Sequence, residues 1–130
     1  MGRRLRIRGA EVIKKILLVD DEPEVAELLQ GFLEIENYTV IICPRASEVL
    51  AVLELERPQV VLMDVVMPDM DGITCLKEIK KKFPETIVVL ISGLQNESVA
   101  KEAIRYGAYD YVTKPFDFED LNNRILSRLF

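Results

Sequence analysis

A length of 130 residues, with 49% hydrophobic and 30% charged side chains, suits one globular domain and excludes both a disordered chain and two separate cores. The formal net charge of −5 is uneven: Arg3, Arg4, Arg6 and Arg8 sit in the first eight residues, and the remainder carries 13 basic against 22 acidic side chains. An acidic body disfavours nucleic acid and suits a cation, and the absence of any histidine removes Ser-His and Cys-His triads, most zinc sites and a phosphohistidine.

The basic tip, residues 1–13, is expected to be a flexible, solvated extension to a domain spanning 14–130. Its only following apolar run is short, so it lacks a signal-peptide core. No run approaches the roughly 20 apolar residues of a membrane span, so the expected location is the cytoplasm, with no membrane contact.

Short apolar runs then alternate with helical patterns. Ile16–Val19, Val40–Ile42, Val60–Met63 and Ile87–Ile91 read as strands. Several are continuously apolar and rich in branched residues, as strands covered on both faces are. Tyr109–Val112 alternates more and reads as an edge strand. Between them lie five helices. Val25, Leu28, Leu29, Phe32 and Leu33 recur at helical spacing after Pro23, which suits a first turn. Val49, Leu50, Val52 and Leu53 mark the second helix, and Ile73, Leu76, Ile79 and Phe83 the third. The fourth runs from about Asn96 to Tyr106 and stops at Gly107, a left-handed cap. The last starts near Asp117, with Glu119 and Asp120 at its positive end and Arg124 and Arg128 toward its negative end. Cys43 and Cys75 lie among apolar residues without metal-ligand spacing, and read as buried free thiols.

Five successive strand–helix pairs require a parallel sheet with helices on both faces, a doubly wound α/β fold. Ligands of such sheets sit beyond the carboxyl ends of the strands. The residues there are Asp20 and Asp21 after the first strand, Asp64 after the third, Ser92 and Gly93 after the fourth, and Thr113, Lys114 and Pro115 after the fifth. Any one of them has a plain structural reading; an Asp after a strand is often a helix cap. Their joint occurrence at successive strand ends is harder to obtain from capping. Three converging carboxylates repel one another, and a hard divalent cation such as Mg²⁺ resolves the conflict. With Lys114 as a second positive charge, one carboxylate is available as nucleophile toward an anionic group. This is the equipment of phosphoryl transfer.

Three stretches carry a family resemblance: ILLVDDEP from Ile16, VVLMDVVMPDMDG from Val60 and GAYDYVTKPF from Gly107. Together they resemble the receiver domain of two-component response regulators, over about residues 14 to 130. The resemblance implies a flavodoxin-like (βα)5 domain with a five-stranded sheet in the order 2-1-3-4-5. It also implies a signalling module rather than an enzyme in the ordinary sense. Asp64 is the implied phosphoacceptor. Asp21, Asp64 and the backbone carbonyl of Val66 are the implied Mg²⁺ ligands, with Asp20 acting mainly through water. Lys114, preceding a cis bond to Pro115, pairs with phosphoryl oxygens. Ser92 is the switch hydroxyl and Tyr111 the switch aromatic, while Pro68 and Gly72 shape the loop after the acceptor. The implied partners are a histidine kinase or histidine phosphotransfer protein, and a downstream effector protein or linked output domain. The fourth helix, fifth strand and fifth helix are the implied output face, with homodimerisation among the outcomes of phosphorylation.

Rival functions fit less well. A haloacid-dehalogenase-type enzyme wants a second acid two residues after the nucleophile, where this chain has Val66. A purely docking receiver would lack an acid or the lysine, and none is missing. A flavodoxin-like cofactor binder would lack the acid pocket. Val66 and Leu94 are apolar at positions that, in the family, flank the path of the hydrolytic water, which predicts slow loss of phosphate.

Overall fold

A computed structural model describes residues 6–8 and 11–130, with side chains from residue 13 onward. Five parallel strands, β1 (Lys15–Val19), β2 (Thr39–Cys43), β3 (Val60–Asp64), β4 (Ile87–Ser92) and β5 (Asp110–Thr113), form one sheet in the order β2-β1-β3-β4-β5. The doubly wound order implied by the sequence is the one found. Each strand lies within a residue or two of its predicted position, and most extend a little further because the ladder continues through flanking polar residues such as Lys15 and Ser92.

The helices are α1 (Pro23–Ile35), α2 (Val49–Glu56) with a preceding 3-10 turn Ala46–Glu48, α3 (Gly72–Lys82) and α4 (Glu97–Arg105). A last helical segment, α5, comprises Phe118–Leu121, a π-helical stretch Asn122–Leu126 and a final turn Ser127–Leu129. Alternation along the strands divides the apolar interior. Leu17, Val19, Val61, Met63, Val88 and Leu90 face α2, α3 and Ala103 of α4. Ile16, Leu18, Val60, Leu62, Val89 and Ile91 face Leu29 and Leu33 of α1 and Leu121, Ile125 and Leu126 of α5. Cys43 and Cys75 are buried free thiols, as expected, and burial pushes Cys75 up to about 12, leaving it unreactive.

Local chemistry sets the helix ends. Asp71, Asn96 and Asp117 each accept backbone N–H bonds at the starts of α3, α4 and α5. Gly107, at φ +103°, follows α4 in the left-handed region that L side chains avoid. Gly72 answers to space instead: a Cβ there would lie 2.6 Å from the Val65 Cα and 2.8 Å from the Asp64 carbonyl oxygen. The start of α3 therefore presses backbone against backbone on the end of β3, and Gly72 N–H donates to the Val65 carbonyl at 2.7 Å.

Periodicity predicts no element in the basic tip, yet the backbones of Arg6–Arg8 and Glu11–Ile13 form an antiparallel pair. Arg3 and Arg4 lie outside the described residues. No helix among the described residues is long and apolar enough to cross a membrane.

Candidate functional site at the carboxyl edge of the sheet

The strand order reverses beside β1, so the ends of β1 and β3 open into a crevice, and the predicted chemical residues gather there. Asp20 and Asp21 leave β1, and Asp64 ends β3. One oxygen from each lies within 4.8 Å of the others. Asp64 and Asp20 are buried, while Asp21 is half-buried. From beyond β5, Lys114 Nζ donates to Asp64 Oδ2 at 2.9 Å. The other Asp64 oxygen accepts the Val66 N–H at 3.1 Å. The Asp64 carboxylate is thus fixed by one charged and one peptide donor, each on its own oxygen. The Lys114–Pro115 peptide is cis, as the resemblance implies.

Neither Asp20 nor Asp21 caps α1. The N-cap residue is Glu22, which makes no side-chain cap bond, and Asp20 Oδ1 accepts the Glu22 N–H at 2.9 Å. Burial raises the Asp20 carboxyl above the ordinary carboxylate range. The Glu22 peptide bond and the Lys114 charge pull it down, and the charges of Asp64 and Glu22 push it up again. Burial draws the Lys114 ammonium down, but the hydrogen bond and charge of Asp64, with Asp20 and Glu22 behind it, leave it raised overall. Glu22 is a contributor that the strand-end reading missed. Its signal was the unbroken acidic run Asp20-Asp21-Glu22.

Clustered hard oxygen donors with a surplus of negative charge fit a small divalent cation better than any soft metal, and Mg²⁺ suits a site of few carboxylates.

Ser92 is fully buried at the end of β4, and its Oγ accepts the Leu94 N–H at 3.0 Å. Tyr111 on β5 packs its ring against the α2–α4 side of the core and donates its hydroxyl to the Leu94 carbonyl at 3.0 Å. Both predicted switch residues therefore hold the same residue, Leu94, one by its amide and one by its carbonyl. Val66 and Leu94 flank the site with 60% and 44% of their surface exposed.

A groove of about 670 Å³ runs from Asp64 and Lys114 between α1 and α5. On its α1 wall Val25, Leu28, Phe32 and Ile35 form an exposed apolar stripe at spacings of three and four, and Phe32 stacks on Phe118 of α5 at 5.2 Å.

Comparison with known proteins agrees with this geometry. The family model described as the response regulator receiver domain matches residues 16–126. The regulatory protein AtoC of Escherichia coli is 39% identical over 110 residues, which is 85% of this chain and 24% of that protein. The alkaline phosphatase synthesis transcriptional regulatory protein PhoP of Bacillus subtilis is 35% identical over 112 residues, 86% of this chain and 47% of that protein. This chain thus spans about a quarter to a half of the length of these relatives. Among solved structures, the receiver domain of NtrX from Brucella abortus superposes with a TM-score of 0.81 at 38% identity, covering 88% of this chain and 97% of that one. A CheY-like receiver domain protein from Methanospirillum hungatei gives a TM-score of 0.84 at 32% identity, covering 90% and 94%. With its motifs, its sheet order and its acidic crevice all in agreement, the chain belongs to the response regulator receiver domain family.

Proposed function

We propose that this receiver domain accepts a phosphoryl group on Asp64 from the phosphohistidine of a kinase or phosphotransfer protein. The observation that carries the reading is the 2.9 Å pair between Lys114 and a carboxylate inside the three-acid cluster. Asp64 supplies the nucleophilic oxygen. As its bond to phosphorus forms, the bond from phosphorus to the donor's imidazole nitrogen breaks, and the electron pair leaves with the imidazole. Lys114 follows the charge from the carboxylate to the phosphoryl oxygens, and the Val66 N–H steadies the acceptor carboxylate. Asp21, Asp64 and the Val66 carbonyl would hold Mg²⁺, with Asp20 acting mainly through water. The ion would supply the positive charge that lets three carboxylates and a phosphate share one crevice.

These 130 residues contain no histidine, so the donor imidazole lies outside them. The apolar stripe of α1 and the groove leading to Asp64 suit an apolar helical face that delivers it. Output follows from the bonds at Leu94. A new dianion attracts the Ser92 hydroxyl away from the Leu94 amide, the Leu94 carbonyl shifts with its chain, and Tyr111 loses its acceptor. The face of α4, β5 and α5 is the surface so altered, for a downstream protein, a linked output domain or a second copy.

The test is incubation with a small phosphodonor and Mg²⁺, followed by mass analysis. One acid-stable, base-labile phosphate is expected, absent in Asp64→Asn. Labelling that persists in that variant places the nucleophile elsewhere.

A further inference from the structure

The loop between β3 and α3 is fastened to the start of α2 by one side chain. The 3-10 turn that opens α2 has Arg45 at its N-cap position, and Arg45 makes no side-chain cap bond. A guanidinium has no acceptor to offer, so the amides of this helix start need a partner from elsewhere. Asp69 provides it. Ala46 N–H donates to Asp69 Oδ1 at 3.3 Å, and Ser47 N–H donates to Asp69 Oδ2 at 2.9 Å. The backbone bond from Ser47 leads the contacts that hold the Asp69 carboxyl below the ordinary carboxylate range.

Asp69 belongs to the segment that leaves Asp64. Within that segment Met67 is buried and Met70 packs against the core, while Asp69 itself is exposed. The segment closes at its far end by the Gly72–Val65 bond, and its Val66 N–H meets Asp64 Oδ1. Between these two anchors, the Asp69 carboxylate joins the crown of the loop to α2. An exposed acid would ordinarily be solvated; this one takes two amide bonds across a separation of more than twenty residues.

We infer that Asp69 is a positioning residue: by capping α2 it fixes the acceptor loop, and so holds the Val66 peptide against Asp64. The consequence for metal binding rests on the reading of Asp64 and the Val66 carbonyl as Mg²⁺ ligands. Partners that orient ligands are typically worth about 10–100-fold in metal affinity.

The experiment uses the full chain in four forms: wild type, Asp69→Ala, Asp69→Asn and the double variant Arg45→Ser with Asp69→Ala. The serine gives α2 a cap of its own without touching the loop. Amide exchange at Ser47 and Val66 is measured without metal, and Mg²⁺ affinity by titration. In Asp69→Ala both amides should exchange roughly tenfold faster and Mg²⁺ affinity should fall by about the same factor. Asp69→Asn, which keeps one of the two acceptor oxygens, should recover part of each. The double variant should recover protection at Ser47 but neither Val66 protection nor Mg²⁺ affinity. Unchanged Val66 exchange in Asp69→Ala overturns the inference, and so does full recovery in the double variant, which would leave Asp69 as a helix cap alone. If wild type binds no Mg²⁺ while Val66 still loses protection in Asp69→Ala, the metal reading falls and the positioning role stands.

Discussion

The two edges of the sheet treat polar groups in opposite ways. At the amino edge, the Gln59 side chain accepts the Lys15 N–H at 2.8 Å and donates to the Ile13 carbonyl at 2.7 Å, and Lys15 Nζ reaches both the carbonyl and the carboxylate of Glu56. Donor meets acceptor and charge meets counter-charge. At the carboxyl edge, three carboxylates crowd within 4.8 Å, and the ammonium of Lys114 pairs with one of them, Asp64. The first arrangement balances its own donors and charges; the second gathers like charges into a donor set that could hold a cation. The same sheet thus carries a complementary end and a crowded acidic end. What separates them is whether the side chains offered there are neutral and complementary or alike in charge.

The comparison breaks most visibly at Gln59. Gln59→Leu keeps the bulk but leaves a backbone donor and a backbone acceptor without their partners, at a cost of about 1–3 kcal/mol. Chemical denaturation should show that loss, while Mg²⁺ binding at the opposite edge stays as in wild type. A matching loss of metal affinity would mean that the two edges are not independent.

A smaller effect probes the carboxyl edge through kinetics. Hydrolysis of an aspartyl phosphate needs a water held in line, and Val66 and Leu94 offer it no hydrogen bond. The expectation is a long-lived phosphoprotein, and Val66→Asn with Leu94→Glu should speed decay about tenfold, equivalent to about 1.4 kcal/mol of barrier. The check is phosphate decay in Mg²⁺ with no other protein present. Wild-type decay within seconds would contradict this account of the two positions.

The smallest and most diagnostic effect is at Asp20. Its carboxyl is raised by burial above the ordinary range, so the folded state binds its proton more tightly than the unfolded state does. The associated stability is present below the unfolded pKa and is lost as pH rises through the folded value. Asp20→Asn keeps the acceptor for Glu22 N–H and removes the charge. It should raise the metal-free melting temperature at neutral pH, flatten its pH dependence above the carboxylate range, and weaken Mg²⁺ binding. A lower melting temperature at neutral pH would show that the charge is not a burden to the apo fold.

Much of this was legible in the sequence because chemistry and chain order coincide. Asp20, Asp21, Asp64 and Ser92 each belong to or follow a branched apolar run and Lys114 follows an alternating one, and a parallel sheet brings all such ends to one edge. Helix starts at Asn96 and Asp117 were readable for the same local reason. Long-range relations were not. Nothing near Arg45 announces that its helix is capped by Asp69, because the pairing depends on how the loop after β3 folds over the sheet. The π-helical turn of α5 has no periodic signature either. It accompanies Asn122, whose side chain turns inward to accept from Tyr38 at 2.6 Å and donate to Glu36 at 3.0 Å. The N-terminal strand pair had a faint signal in the alternation of Arg6-Ile7-Arg8 and the branched Val12-Ile13, on either side of Gly9, and the cluster of arginines outweighed it.

The close approach at Gly72 has a mechanical meaning. Side chains yield by turning about their χ angles, whereas peptide planes in contact have almost no soft coordinate in which to give. With its first residue seated against Val65 Cα and the Asp64 carbonyl, α3 meets β3 through a stiff joint rather than a cushion. A tug on the exposed side of α3 would reach the backbone of Asp64 with little of its displacement absorbed on the way.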